Sequence, residues 1–188
     1  MAYNLQDIKI LLVEDNRAML DLVKAVLQSF GIGQVITALN GDAGYNEFRR
    51  HNPDLVITDW LMTPCDGLEL SKKIRTDPAS PNKFVPIVLM TGFSEECRVI
   101  SARDEGITEF LVKPFNTRDL YRRLYRIIES PRQFVESGTF FGPDRRRRCL
   151  EDYNGPHRRE DEGVQKGAGR KTPAFVGNIM SPDDIEFR

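Results

Sequence analysis

Apolar and polar positions follow two alternating patterns over the first 130 residues of the chain. Five short, nearly continuous apolar runs have the length and composition of strands that are covered on both faces. Between them, apolar residues recur every three or four positions, which is the spacing of amphipathic helices. The five runs are IKILLV (8–13), QVITAL (34–39), DLVIT (54–58), PIVLM (86–90) and ITEFLV (107–112).

Turn-forming residues separate the predicted helices from the strands. Gly31 ends the first helical pattern, and Asn52-Pro53 ends the second. Asn116 and Asp119 can form a capping arrangement at the start of the last helix. Five strand–helix repeats predict an α/β fold, a doubly wound parallel sheet with helices on both faces. The helices are predicted over 19–30, 42–51, 67–74 and 94–106, and from Asn116 to about Ile128.

The chain changes character after Ser130. Residues 131–188 hold 7 of the 14 glycines and 5 of the 11 prolines, with no sustained periodicity. We therefore divide the chain into a domain at 5–130 and a C-terminal extension at 131–188 that is partly disordered or a docking segment. Only RQFVESGTFF (132–141) is apolar enough to dock, on the domain or on a second copy. The side chains expected to do so are Phe134, Val135, Phe140 and Phe141.

Composition and charge narrow the class of protein. The formal net charge of -1 gives no general attraction to nucleic acid or membrane. The three cysteines are scattered, which argues against a disulfide framework and a zinc site. The chain has neither a bilayer-spanning apolar run nor a visible signal peptide. These features predict a cytoplasmic protein.

Polar residues follow four of the predicted strands. Glu14 and Asp15 come after the first strand, Asp59 after the third, Thr91 after the fourth and Lys113 after the fifth. In a doubly wound sheet, ligands bind outside the carboxyl ends of the strands. We therefore expect these five side chains to meet at one edge of the sheet.

The residue types at this edge indicate phosphoryl chemistry. Clustered carboxylates repel one another unless a cation lies among them, and their hard oxygen atoms suit magnesium. Lys113 can bind phosphate oxygens, and Thr91 can donate a hydrogen bond to another. Asp59, on a central strand, can act as a nucleophile that forms an aspartyl phosphate. Each residue also has a structural interpretation: Asp15 as a helix cap, Asp59 or Thr91 as a turn residue, and Lys113 as a solvated lysine.

Four motifs in the order LLVEDN, DWLMTPCDGLEL, VLMTGF and FLVKPF resemble those of response regulator receiver domains, such as the chemotaxis response regulator. The resemblance covers about residues 5–130. It implies a flavodoxin-like strand order 2-1-3-4-5, magnesium as cofactor and a cis bond between Lys113 and Pro114. It also implies site roles: Asp59 as phosphoacceptor, Lys113 as phosphate-binding residue, Thr91 and Phe110 as switch residues, and Glu14, Asp15, Asp59 and the Leu61 backbone carbonyl as metal ligands.

The resemblance further implies a signalling function. A histidine kinase or a phosphotransfer protein would phosphorylate Asp59, and the chain would signal to a downstream protein by phosphorylation-dependent interaction. A homodimer could form through the face built from the fourth predicted helix, the fifth strand and the last helix, or through the extension. The chain would be a phosphoacceptor and not a turnover enzyme. Leu61 and Phe93 are apolar where the family tunes access of the hydrolytic water, which predicts slow autodephosphorylation.

Several alternatives stay open at this point. A scaffold-type receiver would lack part of the acidic and lysine set, yet all of it is present. A phosphatase of the haloacid dehalogenase type needs a second acid at the position of Leu61. A flavodoxin needs a phosphate-binding loop rich in hydroxyl groups and glycine after its first strand, and VEDNRAM is not such a loop. The run from Arg145 to Arg148 could bind nucleic acid or an acidic partner, although nearby acidic residues weaken its field.

Overall fold

The structure is a computed structural model that describes residues 5–92, 106–137 and 140–143. Phe93, the helix predicted at 94–106 apart from Gly106, and the arginine run at 145–148 lie outside the described residues. Within them, no helix combines the length and the apolar character needed to cross a bilayer.

Five parallel strands form one sheet in the order β2-β1-β3-β4-β5, which confirms the predicted fold and strand order. The predicted boundaries were off by one or two residues, and β3, β4 and β5 end one or two residues later than predicted because strand pairing continues past their apolar runs. Asp59 still pairs with Met90, and Gly92 still pairs with Lys113. The strands are β1 (Lys9–Val13), β2 (Gln34–Ala38), β3 (Leu55–Asp59), β4 (Ile87–Gly92) and β5 (Glu109–Lys113).

Four helices are present in the part of the chain that the structure describes: three connect strands of the sheet, and the last follows β5. They are α1 (Arg17–Ser29), α2 (Gly41–His51), α3 (Gly67–Thr76) and α4 (Thr117–Glu129). Each begins after an Asn or Asp whose side chain accepts a backbone N–H from the first turn. The capping arrangement predicted for Asn116 and Asp119 is confirmed, with both of its hydrogen bonds present.

Apolar side chains leave the sheet alternately toward two cores. Ile10 and Leu12 face one core with α1 and α4, whereas Leu11 and Val13 face the other with α2 and α3. All five residues of the central strand β3 are buried. Packing on both faces therefore fixes the backbone that carries Asp59.

A two-stranded antiparallel sheet follows α4, formed by β6 (Phe134–Ser137) and β7 (Phe140–Pro143). These two strands were not predicted from the sequence, because four-residue strands carry too little periodicity. The rings of Phe134 and Phe141 each contact Phe84, in the loop before β4, with centroids 5.3 Å apart. This hairpin thus packs on the edge of the sheet where the parallel strands begin.

Candidate functional site

Asp59 is the last residue of β3 and is only 8% exposed. The backbone around it is fixed on two sides. The N–H of Trp60 donates to the carbonyl of Met90 at 3.0 Å, and the N–H of Gly67 donates to the carbonyl of Trp60 at 3.0 Å. A Cβ atom at Gly67 would overlap the carbonyl oxygen of Asp59. Glycine at the start of α3 therefore permits the close approach that holds Asp59 in place.

Lys113 joins the ends of three strands through its ammonium group. Its Nζ lies 2.7 Å from Asp59 Oδ1 and 2.8 Å from Glu14 Oε2. The side chain is 23% exposed, so both ion pairs are largely shielded from water. A solvated surface lysine is thereby excluded for Lys113.

Glu14, Asp15 and Asp59 bring one carboxylate oxygen each to within 4.8 Å of one another. Glu14 and Asp59 are buried, while Asp15 is exposed. The cap of α1 is Asn16, whose side chain accepts the N–H of Met19, so Asp15 does not serve as the helix cap. The N–H of Asn16 also donates to Glu14 Oε1 at 3.4 Å.

The charges in this cluster do not balance. Burial raises the pKa of Glu14 and of Asp59, and for each a neighbouring carboxylate adds to the rise while Lys113 opposes it. Burial by itself would lower the pKa of Lys113, but its two carboxylate partners outweigh burial and raise it. Lys113 pairs with two of the three clustered carboxyl groups, so a further cation would bring the charges of the cluster closer to balance.

The donor set suits a hard divalent cation. Carboxylate oxygens are the protein ligands that magnesium and calcium prefer, and the exposed Asp15 leaves the cluster open to solvent on one side. An open side lets water or a substrate oxygen complete the coordination. The residues that are present therefore fit a magnesium-type site.

Thr91 and Phe110 lie on the two strands next to this cluster. Thr91 is buried on β4, one residue beyond the partner of Asp59, and its Oγ1 donates to the carbonyl of Gly92 at 3.3 Å. Phe110 packs against the core that faces α2 and α3, three residues before Lys113. The structure thus brings the four charged residues together, with Thr91 on the adjacent strand and Phe110 partly buried against the core.

The loops around the site hold two cis peptide bonds. The bond between Lys113 and Pro114 is cis, as predicted, and so is the bond between Thr63 and Pro64. The side chain of Leu61 is 59% exposed in the loop after β3. The contribution of Gly67 was not predicted, although a glycine directly after the capping Asp66 was a visible signal.

Comparison with known proteins identifies the domain. The sequence model of the response regulator receiver domain family matches residues 10–125. The chain is 31% identical over 124 residues to chemotaxis protein CheY-3 of Vibrio cholerae serotype O1, an alignment that covers 66% of this chain and 94% of that protein.

Solved structures agree with this match. The receiver domain of NtrX from Brucella abortus is 28% identical with a TM-score of 0.59, over 64% of this chain and 98% of that one. The receiver domain of a sensor histidine kinase from Pseudomonas aeruginosa PAO1, solved with a magnesium ion coordinated in its active site cleft, is 28% identical with a TM-score of 0.56, over 63% of this chain and 94% of that one. With its sheet order, its strand-end cluster and these matches, the chain belongs to the response regulator receiver domain family.

Proposed function

We propose that Asp59 accepts a phosphoryl group from a histidine kinase or a phosphotransfer protein, and that the chain signals by phosphorylation-dependent protein–protein interaction. The observation that carries the proposal is the position of Lys113 Nζ, 2.7 Å from Asp59 Oδ1 and 2.8 Å from Glu14 Oε2. A carboxylate beside a fixed ammonium group can attack phosphorus while the charge on the phosphoryl oxygens is neutralised.

The residues that would hold magnesium are Glu14, Asp15, Asp59 and the backbone carbonyl of Leu61. Support comes from the three carboxylate oxygens within 4.8 Å of one another and from the related Pseudomonas aeruginosa domain, in which magnesium is coordinated. When bound, magnesium supplies positive charge for the oxygens of the transferred group.

In the transfer step, a carboxylate oxygen of Asp59 forms a bond to phosphorus. The bond between phosphorus and the donor atom breaks, and its electron pair leaves with the donor. Lys113 then pairs with a phosphoryl oxygen in place of the Asp59 carboxylate, and the hydroxyl of Thr91 donates a hydrogen bond to another. The side chain of Phe110 changes position together with Lys113 and Thr91. These new contacts shift the domain toward a second packing.

The domain proposed for residues 5–130 is followed by an extension at 131–188. The β6–β7 hairpin, which begins the extension, packs on the domain through Phe134 and Phe141.

Kinases of this kind draw their phosphoryl groups from ATP, so the proposed transfer takes place in the cytoplasm.

The direct test is to incubate the full chain with magnesium and acetyl phosphate and to measure its intact mass. We expect the mass of one added phosphoryl group, as Asp59 attacks phosphorus and acetate leaves. The adduct should disappear with hydroxylamine, which cleaves acyl phosphates, and should not form in the presence of EDTA. A chain that gains no phosphoryl group, or gains it equally in EDTA, would contradict the proposal.

Autodephosphorylation is expected to be slow, because the exposed side chain of Leu61 offers no hydrogen bond to an attacking water. Leu61→Asn would provide one hydrogen bond, so we expect hydrolysis roughly tenfold faster than in the wild type. Leu61→Met is the matched apolar control. The decay of the phosphorylated mass after removal of acetyl phosphate measures the rate, and equal rates for Leu61→Asn and Leu61→Met would refute the role of Leu61.

A further inference from the structure

The β6–β7 hairpin covers an apolar surface at the end of the sheet opposite Asp59. Phe84, Phe134 and Phe141 form an aromatic cluster in which the two hairpin rings contact Phe84 edge-on, both with centroids 5.3 Å away. The two hairpin rings lie 5.7 Å from each other. Edge-to-face ring pairs of this kind stabilise a contact beyond the effect of the apolar area that they bury. The cluster is therefore an apolar contact by which the hairpin packs on the domain.

Arg75 connects this cluster to the entry of β5. Its side chain is 3% exposed, and its guanidinium lies 5.0 Å from the centre of the Phe134 ring. Nε and Nη2 donate to the carbonyl of Gly106 at 3.1 and 2.9 Å, and Nη1 donates to the carbonyl of Lys83 at 2.7 Å. Burial lowers the pKa of Arg75 to about 9. Phe134 thus covers a buried cation that fixes the backbone just before β5.

Glu109 provides a second attachment, at the first residue of β5. Its carboxylate lies 3.0 Å from Nη2 of Arg132, which precedes the hairpin, and 3.7 Å from Nη1 of Arg123 on α4. Glu109 is 9% exposed, so water screens these pairs only in part. Arg132 therefore attaches the hairpin to the beginning of β5, whereas the aromatic cluster attaches it to the loop before β4.

The other end of β5 carries Lys113, and the strand between them is five residues long. In this structure Lys113 holds the unmodified carboxylate of Asp59 while the hairpin is docked. Phosphorylation would replace that carboxylate by a larger group of greater negative charge, which requires a new position for Lys113. Glu109 and Lys113 are the two ends of β5, so a shift of this strand that accompanies the new position of Lys113 would also reach Glu109.

We propose that hairpin docking and phosphorylation of Asp59 are coupled through β5, so that the hairpin is docked in the unphosphorylated chain and released in the phosphorylated one. This inference depends on the proposed function. Release separates the rings of Phe134 and Phe141 from Phe84, and it breaks the contact between Arg132 and Glu109. Because such coupling is reciprocal, a chain with a weakened hairpin contact is easier to phosphorylate.

The test is hydrogen–deuterium exchange of the full chain with magnesium, with and without acetyl phosphate, with the intact mass measured on the same samples. We expect backbone amides of β6 and β7 to exchange roughly tenfold faster in the phosphorylated chain, within the usual range of coupling between sites. Asp59→Asn should show no change. A phosphorylated chain with unchanged exchange overturns this inference alone, whereas a wild type that gains no phosphoryl group overturns the proposed function and this inference with it.

Two variants test the contact itself. Phe84→Ala and Arg132→Gln should accelerate exchange in the hairpin without phosphorylation and raise the phosphorylated fraction at limiting acetyl phosphate. Leu22→Ala is the matched control, because Leu22 is 59% exposed on α1, away from the hairpin. Arg132→Gln removes only a partly exposed charge, so we expect this variant to fold like the wild type. Unchanged phosphorylation in both variants, despite faster exchange in the hairpin, would refute the coupling.

Discussion

Asp59→Asn is expected to abolish phosphorylation by acetyl phosphate and, in metal-free buffer, to stabilise the fold. The amide is not a nucleophile, so the gain in mass should vanish completely. Burial raises the pKa of the Asp59 carboxyl, which means that its ionised form is less favourable in the folded chain than in the unfolded one. Removing the charge should therefore raise the free energy of unfolding at neutral pH by about 1 kcal/mol.

The pH dependence of this stabilisation has a defined sign. Between the unfolded and folded pKa values the folded chain binds more protons, so the wild type loses stability as pH rises through the carboxyl range. The advantage of Asp59→Asn should therefore be present at neutral pH and disappear in acid, where both proteins are uncharged at this position. Urea unfolding in EDTA at both pH values measures it.

Asp21→Asn is the control for this prediction, because Asp21 is an exposed aspartate on α1. It should keep full phosphorylation and change stability little. Phosphorylation of Asp59→Asn at the wild-type level would place the phosphoacceptor elsewhere. A neutral-pH stability below that of the wild type would mean that the ion pair with Lys113 outweighs the repulsion among the carboxylates.

Lys113→Met is expected to reduce both stability and phosphorylation. The substitution keeps the length of the side chain but leaves the carboxylates of Glu14 and Asp59 without their shared cation. Removing one partner of a buried ion pair costs about 3–5 kcal/mol, and the partial exposure of Lys113 reduces the expected loss to about 2 kcal/mol. Phosphorylation should slow by about a hundredfold, since a fixed charge at the transferred group is lost.

Magnesium separates the two effects of this variant. The cation should restore much of the stability of Lys113→Met, because it neutralises the same carboxylates, but it should not restore the phosphorylation rate. The raised pKa of Lys113 means that its own contribution to stability persists below the ordinary lysine pKa and is lost in strong alkali. Lys72→Met, at an exposed lysine on α3, should change neither property. A fully active Lys113→Met would refute the role of Lys113.

The sheet and the position of the site could be predicted because both follow from simple periodicities. Apolar runs of five or six residues define the parallel strands, and the residue after each run lies at the ligand-binding edge. For this reason Asp59 and Lys113 were placed at one edge from the sequence alone. Which carboxylate pairs with Lys113 depends on side-chain rotamers, and no pattern in the sequence carries that information.

Other features escaped prediction for specific physical reasons. Asp15 and Asn16 are equally good capping residues, so only the backbone geometry shows that Asn16 is the cap of α1. The β6–β7 hairpin consists of two four-residue strands. It packs against Phe84 and Arg75, which lie about 50–60 positions earlier in the chain. Such distant contacts leave no local signal in the sequence.

While the hairpin is docked, Pro143 lies at the end of the domain opposite Asp59. Pro143 pairs with Phe134 at the open end of the hairpin, beside Phe84 and thus at the beginning of β4. Asp59 lies at the far end of the sheet, about 20 Å away for a six-residue strand such as β4. While the hairpin is docked, a phosphoryl donor at Asp59 would therefore approach the end of the domain opposite the hairpin. The unphosphorylated chain can thus receive a donor at Asp59 without a clash between the donor and the docked hairpin.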